Sequence, residues 1–241
     1  MVLFTYRWFP HLRYIRHLVH DGYVGRPYQA QFSFRAGYAR SPTYQWRLDG
    51  RRANGVLGDF GSHMFDLARW CLGDIDKVSA RLGTFVVREG VGDEPLEPAN
   101  DTASLLLGFA NGAQGLVQVS AVAHVAERGM EQGLLIHGEE GTLEAVMHLR
   151  GPDRAAVVRG VRQDEDAFRT LPVPDAFGGD LDLDRAIKRF TEQSLGPRAF
   201  IDAILEDRPA VPNFHDGLRA QEAIDAALAS HRTGRWMAVS G

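Results

Sequence analysis

Two hydrophobic periods alternate along this chain and divide it into helical ends and a strand-rich middle. Residues 10–21 place Leu12, Ile15, Leu18 and Val19 on one side at helical spacing, with Pro10 to start the helix and Gly22 to stop it. Ahead of it, residues 1–5 read as a short strand. From residue 27 to 36 the period falls to two. Tyr28, Ala30, Phe32 and Phe34 alternate with Gln29, Gln31, Ser33 and Arg35, which predicts a strand with one buried face. Residues 37–57 form a long loop, and loops of that length are more often functional than idle. The loop leads into an amphipathic helix opening at Asp59, whose apolar stripe of Phe60, Met64, Leu67, Ala68 and Cys71 would seat it on a core.

After Gly73 the chain predicts strands at residues 77–87, 102–110 and 114–123, the last two joined through Asn111-Gly112, a strong hairpin signal. A second hairpin is expected where residues 134–137 turn at Glu139-Glu140-Gly141 into residues 142–146, followed by a strand at 155–161. Helical patterning returns at residues 183–194, 197–206 and 214–229, punctuated by Pro209, Pro212 and Gly234. Hairpins in sequence with helices before and after predict an α+β fold, one large, mainly antiparallel sheet with helices on one face. A broad sheet with apolar residues on both sides needs a second cover, so a homo-oligomer through the sheet is expected. There are no repeats or low-complexity tracts.

At 241 residues and 44% hydrophobic composition, the chain can bury a core for one sizeable domain or two small ones. A formal net charge of -4 leaves no electrostatic footprint for nucleic acid or an anionic membrane, although Arg47, Arg51 and Arg52 could together meet one anionic ligand. The single cysteine, Cys71, falls on the predicted apolar stripe, so a disulfide framework is excluded and a reducing, cytoplasmic location is the expectation. Neither a membrane-length apolar run nor a signal-peptide core is present in the sequence. Any mechanism that needs lysine has two candidates, Lys77 and Lys188.

The densest candidate chemistry lies in Gly58-Asp59-Phe60-Gly61-Ser62-His63-Met64-Phe65-Asp66. On a helix, Asp59, His63, Asp66 and Trp70 fall at i, i+4, i+7 and i+11, one stripe beside the apolar one. A carboxylate near a helix N-terminus is stabilised as an anion, and an imidazole one turn later can be oriented or kept partly protonated by it. Such a pair suits proton transfer with a hydroxyl near neutral pH. Two other readings stand beside it. Asp59 is then only an N-cap and His63 a satisfied half-buried residue, or Asp59, His63 and Asp66 converge on a metal ion in a hydrolase or lyase.

Several further segments stand in a telling order: Phe4-Thr5-Tyr6-Arg7-Trp8-Phe9-Pro10, Trp46-Arg47, Gly58 through Asp66, Phe109-Ala110-Asn111-Gly112, Gly138-Glu139-Glu140-Gly141-Thr142-Leu143, and Phe200-Ile201-Asp202-Ala203-Ile204 with Pro209. Together they resemble the second, C-terminal domain of the Gfo/Idh/MocA oxidoreductases, over essentially the whole chain. The resemblance implies a single domain over residues 1–241, with Asp59 contacting substrate and His63 serving as general acid/base while hydride passes between a sugar or cyclitol carbon and NAD or NADP. It places Trp46 and Arg47 near the nicotinamide end of the cofactor; otherwise Trp46 caps the core and Arg47 pairs with Asp49.

The departures matter as much. The family's dinucleotide-binding G-x-G-x-x-G is absent, and the nearest string, Gly90-Val91-Gly92-Asp93-Glu94-Pro95, ends in proline within an acidic loop. The family's Glu-Lys-Pro lysine has no counterpart in Lys77 or Lys188. Residues 1–8 fall where the last strand of the missing nucleotide-binding domain would lie. The glycine run before the aspartate reads Ala53-Asn54-Gly55, where Asn can adopt left-handed geometry and so keep the turn. These features imply the substrate-binding and oligomerisation part of an NAD(P)-dependent oxidoreductase for a sugar-like substrate, inactive alone and served by a nucleotide-binding domain or a separate chain. The alternative is a non-catalytic module that binds a sugar-like ligand or drives assembly.

Overall fold

The computed structural model describes residues 1–90, 96–151, 155–178 and 195–239. Among the described residues, nine strands form one sheet: β1 (Pro27–Ala36), β2 (Ile75–Gly83), β3 (Thr102–Phe109), β4 (Gln114–Ser120), β5 (Met130–Gly138), β6 (Gly141–His148), β7 (Ala155–Arg162), β8 (Arg169–Thr170) and β9 (Met237–Ala238). Their order is β8-β7-β6-β5-β1-β4-β3-β2-β9. Every pairing is antiparallel except β1 with β4. The fold class is thus the expected α+β with a large, mainly antiparallel sheet.

Period-two patterning explains the sheet's two faces. One register row, Leu105, Val117, Phe32, Leu134, Ala145 and Val158, crosses six strands, and every member is buried. Helices α1 (Pro10–His20), α2 (Ser62–Leu72) and α4 (Phe214–Thr233) pack on the sheet. The adjacent row, Leu106, Leu116, Gln31, Leu135, Glu144 and Arg159, belongs to the other face, where Leu106 and Leu116 stay exposed and Arg159 pairs with Glu144 at 2.8 Å. Helix α3 (Leu195–Leu205) precedes α4.

Several boundaries differ from the sequence expectations. Residues 1–4 are not a strand: Val2 donates one backbone hydrogen bond to Pro212, and a 3-10 turn follows at Thr5–Trp8. A strand needs a neighbouring ladder, and none of the described strands pairs with this segment. β2 ends at Gly83 rather than residue 87, and Val87 is exposed. Tyr28, assigned to the buried face of β1, is exposed beside a register shift between Pro27 and Gln29 that breaks the alternation. The helix expected at residues 183–194 and most of the Gly90–Pro95 string lie outside the described residues. No described helix is long and apolar enough to cross a membrane.

Candidate active site

The apolar stripe of α2 works as its spacing predicts. Phe60, Met64, Leu67, Ala68 and Cys71 are buried, which turns the neighbouring stripe toward the helix-rich side of the molecule. The helix does not open at Asp59, however. A π-helical turn at Leu57–Gly61 precedes it, and neither Asp59 nor any other side chain caps α2. Such single-turn insertions recur at functional sites because they re-aim one side chain without ending the helix. Here the turn carries Asp59 into a cleft of about 490 Å³ that is also lined by His63, Trp46 and Arg47.

The approach to that turn is held by Asn100. Its backbone oxygen accepts from Val56 N at 2.9 Å, its Oδ1 accepts from Leu57 N at 2.9 Å, and its Nδ2 donates to Asn54 O at 2.8 Å. This close approach is why Gly55 is glycine: φ is +63°, and a Cβ there would lie 2.2 Å from Asn100 O. The left-handed residue is therefore Gly55, and Asn54 does not need that geometry for the turn to form.

Asp59 is partly exposed and meets two partners. Tyr38 donates its hydroxyl to Oδ2 at 2.6 Å, and Arg47 Nε stands 3.7 Å from Oδ1. Arg47 also lies 4.6 Å above the Trp46 ring, which is half exposed at the cleft. Trp46 therefore does not cap the core. Arg47 pairs with Asp59, while Asp49 takes Arg51 and Arg52 at 3.6 Å each, so the three arginines do not act as one anion site.

His63 is packed between rings. Tyr6 approaches it edge-on at 4.8 Å and Phe4 at 5.9 Å, and Nδ1 is buried with no hydrogen-bond partner. Burial pushes its pKa down to about 4, against a smaller upward pull from Asp59. The imidazole is therefore neutral at pH 7 and able to accept a proton; it is not kept partly protonated, because desolvation outweighs the carboxylate.

Asp66 goes elsewhere. Its carboxylate is buried and grips Arg7 through two bonds, Nε at 2.9 Å and Nη2 at 2.5 Å. Arg7 and Arg69 both reach Asp216, at 3.0 and 2.9 Å. Asp216 meanwhile closes a capping box with Asn213 at the start of α4. This network fastens α4 to α2 and so sets the far wall of the cleft, where Gly217, Gln221 and Ile224 stand. The Asp59–His63–Asp66 metal arrangement does not form, and no group of three or more acidic, histidine or cysteine side chains is placed to hold a metal among the described residues. Tyr38, Tyr6 and the α4 wall were not foreseen. Tyr6 lies in the Phe4–Pro10 segment of the family likeness, which gave it no role, and Tyr38 and the α4 wall had no signal beyond position after a strand or within an ordinary helix.

The GFO/IDH/MocA C-terminal domain family matches residues 12–144. Levoglucosan dehydrogenase of Pseudarthrobacter phenanthrenivorans is 28% identical over an alignment covering 99% of this chain and 66% of the relative. Inositol 2-dehydrogenase of Rhizobium meliloti is 26% identical, covering 100% and 65%. Among solved structures, levoglucosan dehydrogenase in complex with NADH and levoglucosan superposes with a TM-score of 0.85 at 25% identity, covering 100% of this chain and 66% of that one. An oxidoreductase domain protein from Kribbella flavida gives 0.82 at 27% identity, with the same coverage. The chain thus spans about two thirds of the length of these relatives.

Proposed function

Because this chain belongs to the GFO/IDH/MocA family, we propose that it is the substrate-binding part of an NAD(P)-dependent oxidoreductase acting on a hydroxyl of a sugar, cyclitol or related polyol. The observation that carries the reading is the placement of Asp59 and His63 on one wall of a cleft rimmed by Trp46 and Arg47. A bound polyol would hydrogen-bond the Asp59 carboxylate, an acceptor matched to hydroxyl donors. His63, neutral and desolvated, would take the hydroxyl proton as the carbon is oxidised, and the nearby Asp59 anion would stabilise the imidazolium that forms.

The cofactor fits this chain at one end only. Trp46 offers a flat ring and Arg47 a planar cation for the nicotinamide end. The glycine-rich turn that cradles a pyrophosphate is absent from the sequence. When bound, NAD(P) supplies the hydride acceptor. Its grip comes from a nucleotide-binding domain or chain beyond these residues, and residues 1–241 serve as one C-terminal domain that is inactive alone. A homo-oligomer through the open sheet face accounts for the exposed Leu106, Leu116 and Val146.

The experiment joins the nucleotide-binding region of levoglucosan dehydrogenase ahead of Met1 and measures NAD(P)-dependent oxidation of levoglucosan and inositol. Turnover that His63→Ala abolishes is expected, whereas residues 1–241 alone should give no saturable NADH fluorescence titration. Polyol binding with no turnover in the joined protein would instead favour a ligand-binding module.

A further inference from the structure

The Asp59 carboxylate has a partner that belongs to no motif. We propose that Tyr38 is a positioning residue for this site: by donating to Asp59 Oδ2, it fixes the carboxylate plane so that Oδ1 faces a substrate hydroxyl beside Arg47. The inference rests on the reading of Asp59 as the polyol contact, and goes beyond it by naming what holds Asp59 in place.

Three observations support it. First, Tyr38 does not line the cleft, whereas Asp59 does, so any influence on a ligand passes through the carboxylate. Second, the donor is built into the fold. Gln45 Nε2 donates to Tyr38 O at 3.1 Å, and Ala39 N donates to Ala121 O at 2.9 Å. Ala39 O accepts from Arg88, whose guanidinium is buried against the equally buried Asp101 at 3.3 Å. The Tyr38 ring meets Phe60 edge-on at 5.6 Å, and Phe60 stacks on Phe34 at 3.9 Å. Swinging the hydroxyl away would unpack that column. Third, the bond has one polarity. Burial, followed by the Asp59 hydrogen bond, drives the tyrosine's titration far above its usual range, so the phenol remains a donor and the carboxylate an acceptor. The 2.6 Å separation is that of a charge-assisted O–H···O⁻ bond. A carboxylate already held in this way loses less freedom when a ligand binds, which is the general benefit of preorganisation.

The test is a double-mutant cycle on residues 1–241. The affinities of wild type, Tyr38→Phe, Asp59→Ala and the double variant for levoglucosan and inositol are measured by calorimetry, alongside proton NMR of the Tyr38 hydroxyl. Tyr38→Phe should weaken binding roughly tenfold, the scale of one hydrogen bond to a charged group, and should change affinity less than about twofold once Asp59 is already alanine. An equal loss in both backgrounds would overturn the proposal in favour of a purely structural role. The hydroxyl proton should give a slowly exchanging downfield resonance that vanishes in Asp59→Ala. If wild type binds neither polyol, the functional reading fails, and this resonance alone decides the positioning claim: its absence from wild type overturns it.

Discussion

Asp59 and Asp66 stand two helical turns apart on one stripe, yet they have opposite fates. Asp59 opens onto a cleft, satisfied by a phenol and a distant guanidinium. Asp66 is sealed against Arg7 in a bidentate pair that ties three segments together. Helical spacing is the same kind of information for both and cannot separate them. What separates them is the partner delivered from elsewhere: the turn after β1 brings a neutral donor to Asp59, while the 3-10 turn at Thr5–Trp8 brings a full charge to Asp66. A carboxylate kept accessible can bind. One matched to a buried cation is architecture.

The contrast can be broken by substitution. Asp66→Ala should lower unfolding free energy by about 1.5–3 kcal/mol in urea denaturation, because it removes the two charge-assisted bonds that Arg7 makes to Asp66 and leaves the guanidinium to Asp216. Asp59→Ala should cost only about 1 kcal/mol. Equal losses would erase the distinction. In the protein joined to the nucleotide-binding region of levoglucosan dehydrogenase, His63→Ala should reduce kcat by about 10²–10⁴-fold, the usual span for a general base. Steady-state rates near wild type would remove His63 from the chemistry.

Acid titration sharpens the same comparison, since the two groups have slopes of opposite sign. His63 has a folded pKa depressed to about 4 from 6.5, so the unfolded chain binds more protons between those values. Its contribution is present above pH 6.5 and lost as pH falls toward 4, roughly 3 kcal/mol in all. Asp66 has a folded pKa raised by burial to about 6 from 3.8, with Arg7 opposing the rise. Its contribution is present below pH 3.8 and lost as pH climbs through 6. Urea midpoints at pH 4 and pH 6.5 should therefore converge in His63→Gln and diverge further in Asp66→Asn. His11, buried and pushed down to about 3, adds a background slope of the His63 sign that both variants share. The smallest effect on the cleft is expected from Leu106→Glu with Leu116→Glu on the open sheet face. Light scattering should show smaller assemblies, with polyol affinity unchanged.

The legible parts of this molecule were those governed by local periodicity. The α2 stripe, the alternation in β1 and the Asn111-Gly112 turn follow from spacing and turn chemistry, and all appear in the fold. The pairing of Asp59 with His63 was legible from helical spacing, whereas only family likeness brought Trp46 and Arg47 to the same place. What stayed hidden was long-range. Nothing in the sequence around residue 38 indicates that its hydroxyl meets residue 59, or that Arg7 reaches Asp216. Propensity alone allowed Asn54 as well as Gly55 in the left-handed turn, but the crowding of Asn100 against Gly55 decides the matter, and only the folded chain reveals it. Residues 1–5 had strand-like composition but no strand beside them.

The central position of β1 bears on how the chain acquires its shape. β1 lies between β4 and β5, parallel to one and antiparallel to the other, although both follow it by many residues. The β3–β4 and β5–β6 hairpins can form from neighbouring sequence as each leaves the ribosome. β1 leaves the ribosome before both of its partners and must wait until residue 138 has emerged and the two hairpins close around it. Its Gln29, Gln31, Ser33 and Arg35 put polar side chains on one side of that waiting segment, as suits a strand that must resist premature self-association.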